Sequence, residues 1–181
     1  MTNTISLFNA SEFDEFIAYL NDQLADNGVN GQPYFMPFDQ AHSRVSPDKS
    51  AAFRQALGIP YGKAGWRQLW LCRSEQGRLI GHVDLRAHAD SSCAHRCILG
   101  MGVHRDYRQA GIGTQLISYV EQWANTTSTI KWIDLQVLSN NLSAIKLYLS
   151  CGFIRCGEIP ALYQLDGQFF SETLMVKKLT N

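Results

Sequence analysis

Arg108-Gln109-Ala110-Gly111-Ile112-Gly113-Thr114 is the stretch on which the interpretation of this chain rests. It lies between an apolar run, residues 97–103, and an amphipathic run, residues 116–124. That order predicts a strand, a tight turn and a helix. The two glycines lack a Cβ, so the chain can turn sharply and its amides can approach a ligand closely. Amides at the positive end of a helix, beside the permanent cation of an arginine, predict an anion or phosphate site.

Two common phosphate-binding motifs do not match this stretch. A P-loop requires Gly-Lys-Ser/Thr after its glycines, whereas the chain has Gly113-Thr114-Gln115. A dinucleotide-binding fingerprint requires a third glycine where Leu116 stands. ATP binding through a P-loop and a nucleotide-dependent oxidoreductase are therefore both disfavoured.

Two segments of the chain resemble a known family. Val103-x4-Arg108-x2-Gly111-x-Gly113 resembles the acyl-CoA-binding motif of the GCN5-related N-acetyltransferases, the GNAT family. Further along, Asn141-x2-Ala144-x2-Leu147-Tyr148-x3-Gly152-Phe153 is similar to the second motif of that family. The likeness covers residues 79–153 well and the C-terminal strands loosely, and nothing specific matches before residue 66.

The resemblance implies an α/β fold with a single mixed, mostly antiparallel central sheet of about seven strands flanked by helices. We expect one acyl-CoA N-acetyltransferase domain over residues 1–181, with residues 26–66 as the variable region on the acceptor side. In this family the strand ending at Val103 and the strand Trp132 to Val137 splay apart. The pantetheine arm of acetyl-CoA, the implied co-substrate, enters that gap.

The family likeness also assigns residues to the cofactor. The main chain of Met101 and Val103 would pair with pantetheine, and the glycine turn would wrap the pyrophosphate. Asn141 would bond to the pantetheine arm, although it could also be no more than the N-terminal residue of a helix. The cofactor-binding residues assigned in this way are Met101, Gly102, Val103, Arg108, Gln109, Ala110, Gly111, Ile112, Gly113, Thr114, Asn141, Ala144 and Tyr148.

The implied reaction is attack of a neutral amine on the thioester carbonyl. Tyr148 occupies the motif position of the tyrosine that protonates the departing thiolate, and the Val103 amide is the candidate donor to the developing oxyanion. A core tyrosine at helical spacing is the structural alternative for Tyr148. We name Asp84 first as the base, acting through water or by holding the ammonium group. The other candidates for the base are His82, His95 and Glu158, and Arg86 shares the strand face of His82 and Asp84.

Local patterns predict the remaining elements. Ser11-x-x-Asp14 predicts a capping-box start for a first helix, and Ser46-Pro47 starts a second helix that ends at Gly58. The aromatic segment between them, residues 26–46, reads as a long loop that either packs as a lid or lines the acceptor pocket. Predicted strands and the remaining helices cover residues 4–8, 68–73, 79–86, 96–103, 132–137, 141–150, 153–156 and 173–179. The loop after the helix of the glycine turn covers residues 125–129, and Asp166-Gly167 predicts a hairpin.

Composition excludes several classes of protein. The 181 residues include 16 basic and 16 acidic side chains, so net charge gives no case for a nucleic-acid partner. Residues 95–113 hold three bases against one acid, which suits an anionic cofactor. Residues 1–60 hold seven acids against three bases, which suits either a cationic acceptor or a solvated helix face.

No membrane, disulfide or metal feature is predicted. No apolar run approaches the roughly 20 residues of a membrane span, and the N-terminus lacks signal-peptide regions, so we expect a cytoplasmic protein. Five cysteines without paired spacing argue against a disulfide framework. Cys93, His95 and Cys97 would share one strand face, but no second ligand pair follows, and no metal is predicted. A homodimer is compatible with the sequence, which does not fix the oligomeric state.

These observations favour an N-acetyltransferase that moves an acetyl group from acetyl-CoA to a primary amine in a ternary complex. The acceptor is either a small molecule or a peptide. A small-molecule enzyme should have a closed, acidic pocket built by residues 26–46 and the hairpin near Asp166, and a peptide enzyme should have an open groove there. The alternative is a non-catalytic acyl-CoA-binding regulatory module, which would bind the cofactor without turnover.

Overall fold

The structure, a computed structural model, describes residues 3–180. Seven strands and four helices alternate along the chain with short 3-10 turns between them. The helices are α1 (Phe13–Leu24), α2 (Pro47–Leu57), α3 (Ile112–Thr127) and α4 (Leu142–Ser150). The strands are β1 (Thr4–Leu7), β2 (Arg67–Arg73), β3 (Leu79–Ala87), β4 (Arg96–Val103), β5 (Trp132–Leu138), β6 (Ile154–Leu165) and β7 (Gln168–Lys178).

The strands form one mixed sheet in the order β1-β2-β3-β4-β5-β7-β6. β4 and β5 pair in parallel, and every other neighbouring pair is antiparallel. The chain passes from β4 to β5 through α3, as a parallel connection requires. The predicted mixed, mostly antiparallel sheet of seven strands flanked by helices is therefore confirmed.

Each face of the sheet carries its own helices and apolar cluster. The larger cluster joins α3 and α4 to the face that presents Trp70, Val83 and Leu135. The smaller joins α1 to the opposite face through Phe16 and Leu71, with α2 packed against it. Because side chains alternate along a strand, His82 and Asp84 of β3 lie on the α1 and α2 face while Val83 lies on the other.

Several predicted boundaries were wrong. The capping box is Asn9 with Glu12, which begins a 3-10 turn before α1, because Asn9 accepts from the Ser11 amide at 3.0 Å and Glu12 accepts from the Asn9 amide at 2.8 Å. α3 continues through residues predicted as a loop and ends at Thr127. Cys93 ends a 3-10 turn before β4, so it does not extend a strand face with His95 and Cys97.

The C-terminal hairpin is longer than predicted. β6 and β7 span 12 and 11 residues, and β7 begins at Gln168, immediately after the predicted turn. Asp166 and Gly167 have φ values of 45° and 79°, the left-handed pair that a two-residue hairpin turn requires. The hairpin at Asp166-Gly167 is confirmed, and it reaches beyond the paired part of the sheet toward the loop of residues 26–46.

Candidate active site

The centre of the sheet contains a fork. β4 and β5 pair only over residues 96–98 and 132–134, with Ile98 opposite Asp134 as the last pair. β3 pairs with the other edge of β4 from Cys97 to Val103. From Leu99 to Val103, β4 therefore presents one edge with no strand partner among residues 3–180, which is the gap that the family resemblance implied between these strands.

The glycine turn closes the open end of this fork. Gln109 and Gly111 have φ values of 61° and 77°, and Gly111 is the N-cap residue of α3 without any side-chain cap. The turn follows a 3-10 turn, Arg105–Tyr107, that leads directly out of β4. The uncapped N-terminus of a 16-residue helix therefore points its free amides toward the mouth of the fork, where an anion would be stabilised.

The residues of the turn fall into two groups. Arg108, Gln109, Ala110, Gly111 and Thr114 are exposed, so their backbone and side chains are accessible to a ligand. Ile112 is 2% exposed and belongs to the core, which leaves only its amide for a phosphate. Gly113 allows α3 to approach α4, because a Cβ there would lie 2.7 Å from Leu147 Cδ2. The turn thus leaves mainly its backbone accessible to a ligand, and its second glycine serves helix packing.

Arg108 lies at the junction of the cofactor and acceptor sides. Its Nε donates to the Val103 carbonyl at 3.2 Å. Its guanidinium is 6.0 Å from the ring centroid of Phe35, in the loop of residues 26–46. The cation is therefore near the mouth of the fork, and no described acidic side chain forms an ion pair with it.

Asn141 caps α4. Its Oδ1 accepts from the Ala144 amide at 3.3 Å and from Ser143 Oγ at 3.1 Å. The N-cap role anticipated as an alternative is therefore present, and the bond to pantetheine stays a prediction that the amide nitrogen of Asn141 could serve. Ala144 is partly buried against the large cluster, one turn before Tyr148.

The Asn141 cap makes a contribution to the free energy of unfolding that can be measured. We expect Asn141→Ala to lower the free energy of unfolding by about 1 kcal/mol, because the first turn of α4 loses an acceptor for its amides. Urea denaturation followed by circular dichroism would measure it. Asn141→Asp, which retains the acceptor, is the control and should keep most of the stability. Equal losses in the two variants would contradict the cap assignment.

Tyr148 projects from α4 into the core of the larger cluster. It is 8% exposed, and its ring packs edge-on against Phe153 at 5.8 Å. Burial raises the pKa of Tyr148 to about 12. Within residues 3–180 its hydroxyl has no hydrogen-bond partner. The Tyr148 hydroxyl is thus protonated at neutral pH, and it lies on the α4 face of the sheet without a described acceptor.

On the opposite face, His82 lies directly beneath β4. His82 Nδ1 is 3.4 Å from Tyr19 Oη, and that hydroxyl donates to the Gly102 carbonyl at 3.3 Å. The imidazole also meets the Phe16 ring edge-on at 5.3 Å. Burial among these rings lowers the pKa of His82 to about 4, so the imidazole is neutral at physiological pH.

Asp84 is held in an ion pair. The carboxylate is 4% exposed, and its Oδ1 accepts from Arg67 Nε at 2.6 Å, with Arg86 Nη1 at 3.4 Å. Gly100 lies directly across on β4, where a Cβ would be only 2.4 Å from Asp84 Oδ2. The second carboxylate oxygen therefore faces the β4 backbone two residues beyond the last paired position of the fork.

The other candidate bases lie apart from this group. His95 is exposed and precedes the paired end of β4, away from the open fork. Glu158 is opposite Thr173, which pairs with Val137, so it shares the α4 face and accepts from Ser139 Oγ at 3.1 Å. Tyr19 and Arg67, which touch His82 and Asp84, were not predicted because they belong to other elements and no local pattern marks such contacts.

The acceptor-side loop closes on the C-terminal hairpin. Tyr34 Oη donates to Asp166 Oδ2, and the Gln40 amide donates to the same oxygen at 3.0 Å. The Asp166 amide in turn donates to Asp39 Oδ1 at 2.8 Å. Tyr34 also packs against Phe170 with ring centroids 4.9 Å apart. The two segments that were expected to bound an acceptor pocket are therefore joined.

The donor groups of the fork fit acyl-CoA. The free edge of β4 would offer backbone groups to the amides of pantetheine, and the α3 N-terminus with Arg108 would offer positive charge to its pyrophosphate.

Over residues 3–180, no group of three His, Cys, Asp or Glu side chains is arranged to hold a metal ion. In the same range, no helix combines the length and apolarity that crossing a membrane requires.

A family model for the acetyltransferase (GNAT) family matches residues 37–153. The chain is 25% identical over 109 residues to the catalytic subunit NAA10 of the N-terminal acetyltransferase A complex of Arabidopsis thaliana, which covers 60% of this chain and 57% of that protein. The chain spans less than two thirds of the length of each of the curated relatives it matches.

Solved structures share the fold at lower identity. A GNAT-family acetyltransferase from Streptococcus pneumoniae superposes with a TM-score of 0.80 at 19% identity, covering 98% of this chain and 99% of that one. A phosphinothricin acetyltransferase from Sinorhizobium meliloti in complex with acetyl-CoA gives a TM-score of 0.78 at 17% identity, covering 99% and 89%. These likenesses agree with the fold that the strand pairing describes.

Proposed function

Because the chain belongs to the acetyltransferase (GNAT) family, with acetyl-CoA as its co-substrate, we propose that it transfers the acetyl group to a primary amine of a small molecule. The observation that carries this proposal is the fork. It combines three parts that an acyl-CoA and an amine require. These are a β4 edge without a strand partner, an α3 N-terminus without a side-chain cap, and the sheet face that carries Asp84. We further propose a cytoplasmic location and one catalytic domain over residues 1–181.

The contact between the loop of residues 26–46 and the C-terminal hairpin favours a small acceptor. The hydrogen bonds from Tyr34 and Gln40 to Asp166 hold the loop of residues 26–46 against the hairpin. A long peptide groove would need these segments apart. The acids Asp39 and Asp166 at that junction suit a cationic acceptor.

The chemistry divides between the two faces of the sheet. Acetyl-CoA supplies the acetyl group as a thioester, whose carbonyl carbon gains a C–N bond as the C–S bond breaks. On the α1 and α2 face, Asp84 holds the acceptor ammonium or takes its proton, directly or through water. On the α4 face, Tyr148 donates a proton toward the departing sulfur, and the Val103 amide donates to the developing oxyanion.

A base is needed because an alkylamine is mostly charged. With a pKa near 10.4, about one amine in a thousand is neutral near pH 7.4, a deficit of roughly 4 kcal/mol. The Asp84 carboxyl group pairs with Arg67 and lies beside β4 near the fork. His82 is the alternative, since its imidazole is neutral, but its low pKa makes it a weak proton acceptor.

We expect Asp84→Asn to lower kcat about 100-fold while acetyl-CoA affinity stays within about threefold of wild type. The variant should also lose about 1–3 kcal/mol of stability, because the partly buried Arg67 guanidinium is left without its carboxylate partner. Its rate should keep rising with pH toward the pKa of the free amine, whereas the wild-type rate should level off earlier. Steady-state kinetics over the pH range of the folded state would measure both effects.

The control for Asp84 is Arg67→Gln, which breaks the same ion pair from the other side. If this variant lost activity as strongly and with the same pH profile, Asp84 would be a structural ion-pair partner only. His82→Asn, assayed alongside, should retain the wild-type pH profile. A profile that changes in His82→Asn but not in Asp84→Asn would transfer the base role to His82.

The proposed function is tested by following an isotopically labelled acetyl group. The protein is incubated with labelled acetyl-CoA and a panel of amines, amino acids, antibiotics and peptides, and the products are identified by mass spectrometry. A labelled amide on a small amine supports the proposal. Label on peptides alone would overturn the small-acceptor assignment. Cofactor binding without any labelled product would favour the non-catalytic acyl-CoA-binding module.

A further inference from the structure

Glu172 is a buried carboxylate without a cationic partner. It and Asp84 are the two buried acidic residues of the described chain, 7% and 4% exposed. Asp84 is paired with Arg67 and Arg86. Within residues 3–180 Glu172 forms no ion pair, and its one side-chain hydrogen bond comes from the Tyr163 hydroxyl, which donates to Oε1 at 2.8 Å. Burying a charge in this way is costly unless another group compensates it.

Tyr163 does not compensate the charge. Burial, together with the bond to the carboxylate, raises the pKa of Tyr163 to about 12, so the phenol stays neutral and acts as a donor. A single neutral donor satisfies one oxygen of a carboxylate that can accept several hydrogen bonds. Glu172 Oε2 is left without a described partner and can accept from a donor that enters the site.

Strand register places Glu172 on the acceptor side. On β7 it lies opposite Leu138 of β5 and Ile159 of β6. Leu138 is two and four residues beyond Gln136 and Asp134, so all three side chains share the face of β5 that continues from Ile98 of β4. This is the face that carries Asp84. Glu172 therefore lies on the face where the acceptor is expected, at the open end of the fork.

The surroundings of Glu172 suit an alkylammonium. Tyr163 and Leu138 belong with Tyr34, Leu165 and Phe170 to a small apolar cluster beneath the closed loop. Aromatic rings attract cations, and an apolar enclosure strengthens a charge pair. An anion among aromatic and aliphatic walls is a site that favours an ammonium group on an aliphatic chain.

The separation between Glu172 and the proposed acetylation site indicates which ammonium group Glu172 could bind. Gly100, beside Asp84, is two residues past the last paired position on β4, and Leu138, beside Glu172, is four residues past that position on β5, an offset of about 7 Å along the strands. Glu172 is on β7, two strands from β4, which adds about 10 Å across the sheet. One small amine cannot reach both places. We propose that Glu172 and Tyr163 bind the second ammonium of a linear aliphatic diamine whose other amine is acetylated in the fork. This proposal rests on the proposed function and names its substrate class.

The test compares matched acceptors. The acetylation kcat/KM is measured for putrescine against butylamine, cadaverine against pentylamine, and hexamethylenediamine against hexylamine. The wild type is expected to prefer at least one diamine about tenfold or more over its monoamine. Glu172→Gln, which keeps the shape and removes the charge, should reduce that preference about tenfold. Glu75→Gln, an exposed glutamate in the turn between β2 and β3, is the control and should keep it.

Binding and folding are measured separately from turnover. Titration calorimetry with the preferred diamine in the presence of CoA should give affinity in the wild type and about tenfold weaker affinity in Glu172→Gln. Thermal denaturation should show the variant folded, because glutamine keeps an acceptor oxygen for the Tyr163 hydroxyl. Tyr163→Phe provides a second variant if Glu172→Gln fails to fold, and it should weaken diamine binding in the same direction.

The outcomes separate this inference from the proposed function. The diamine subsite is overturned if diamines and monoamines are acetylated with equal efficiency. It is also overturned if Glu172→Gln lowers both efficiencies equally. Neither outcome contradicts the proposed acetyltransferase activity. If no amine is acetylated, the proposed function fails. The calorimetric titration then decides the subsite alone, and it is overturned if Glu172→Gln binds the diamine as tightly as the wild type.

Discussion

Gly111→Asp is expected to weaken acetyl-CoA binding at least 100-fold, on the order of 3 kcal/mol. Gly111 has φ 77°, a conformation that costs a non-glycine residue about 1 kcal/mol or more. The new carboxylate would also occupy the α3 N-terminus, where it would repel a pyrophosphate and take up the free amides itself. Titration calorimetry with acetyl-CoA or CoA measures the loss.

The strain and the charge at this position can be separated. No atom lies within 4 Å of a Cβ built at Gly111, so Gly111→Ala adds strain without a collision. We expect Gly111→Ala to weaken binding less than tenfold. The aspartate variant should remain folded, because an acidic residue at a helix N-terminus stabilises that helix. Wild-type affinity in Gly111→Asp would mean that the pyrophosphate binds elsewhere.

Tyr148→Phe is expected to lower kcat about 10- to 100-fold without a comparable change in acetyl-CoA affinity. The substitution removes only the hydroxyl and retains the ring that packs against Phe153 at 5.8 Å. Because that hydroxyl has no partner within residues 3–180, removing it leaves no buried group unpaired and should cost little stability. Pre-steady-state and steady-state rates would distinguish a slower chemical step from slower product release.

The pH dependence gives an independent check on Tyr148. With its pKa raised to about 12, the phenol remains protonated well above neutral pH. The wild-type rate should therefore show no falling limb from loss of this proton below about pH 10. Tyr119→Phe, an exposed tyrosine of α3, is the control and should retain wild-type kinetics. Full turnover in Tyr148→Phe would assign the proton donor role to water or another group.

Elements with strong local patterns were predicted well. The strand, turn and helix around residues 97–127 follow from apolar runs on either side of a glycine pair, and the hairpin turn follows from Asp-Gly between strands. The prediction of a loop over residues 125–127 was wrong because polar residues were taken to end α3. Ala124 is still buried, and it holds that turn on the core. The true lengths of β6 and β7 were missed because pairing between strands extends segments whose own pattern is weak.

The cofactor side of the candidate site was predictable because it is built mainly from one continuous segment. Residues 101–114 form the β4 edge and the α3 turn, and neighbours in sequence remain neighbours in space there. The acceptor side is different. Asp84 was selected from strand alternation, but its pairing with Arg67 depends on the register of β2 against β3. Glu172 was not selected at all.

Local sequence patterns were enough to predict the order of the elements, the glycine turn and the alternation of side chains along β3, since each depends on contacts between residues close in the chain. Long-range packing sets where β4 and β5 part, which carboxylate has an arginine partner, and the contact between the loop of residues 26–46 and the hairpin. Those features depend on residues distant in sequence, such as Asp39 and Asp166. Strand register and packing fix them, because every shift of one residue would send each side chain to the opposite face of the sheet.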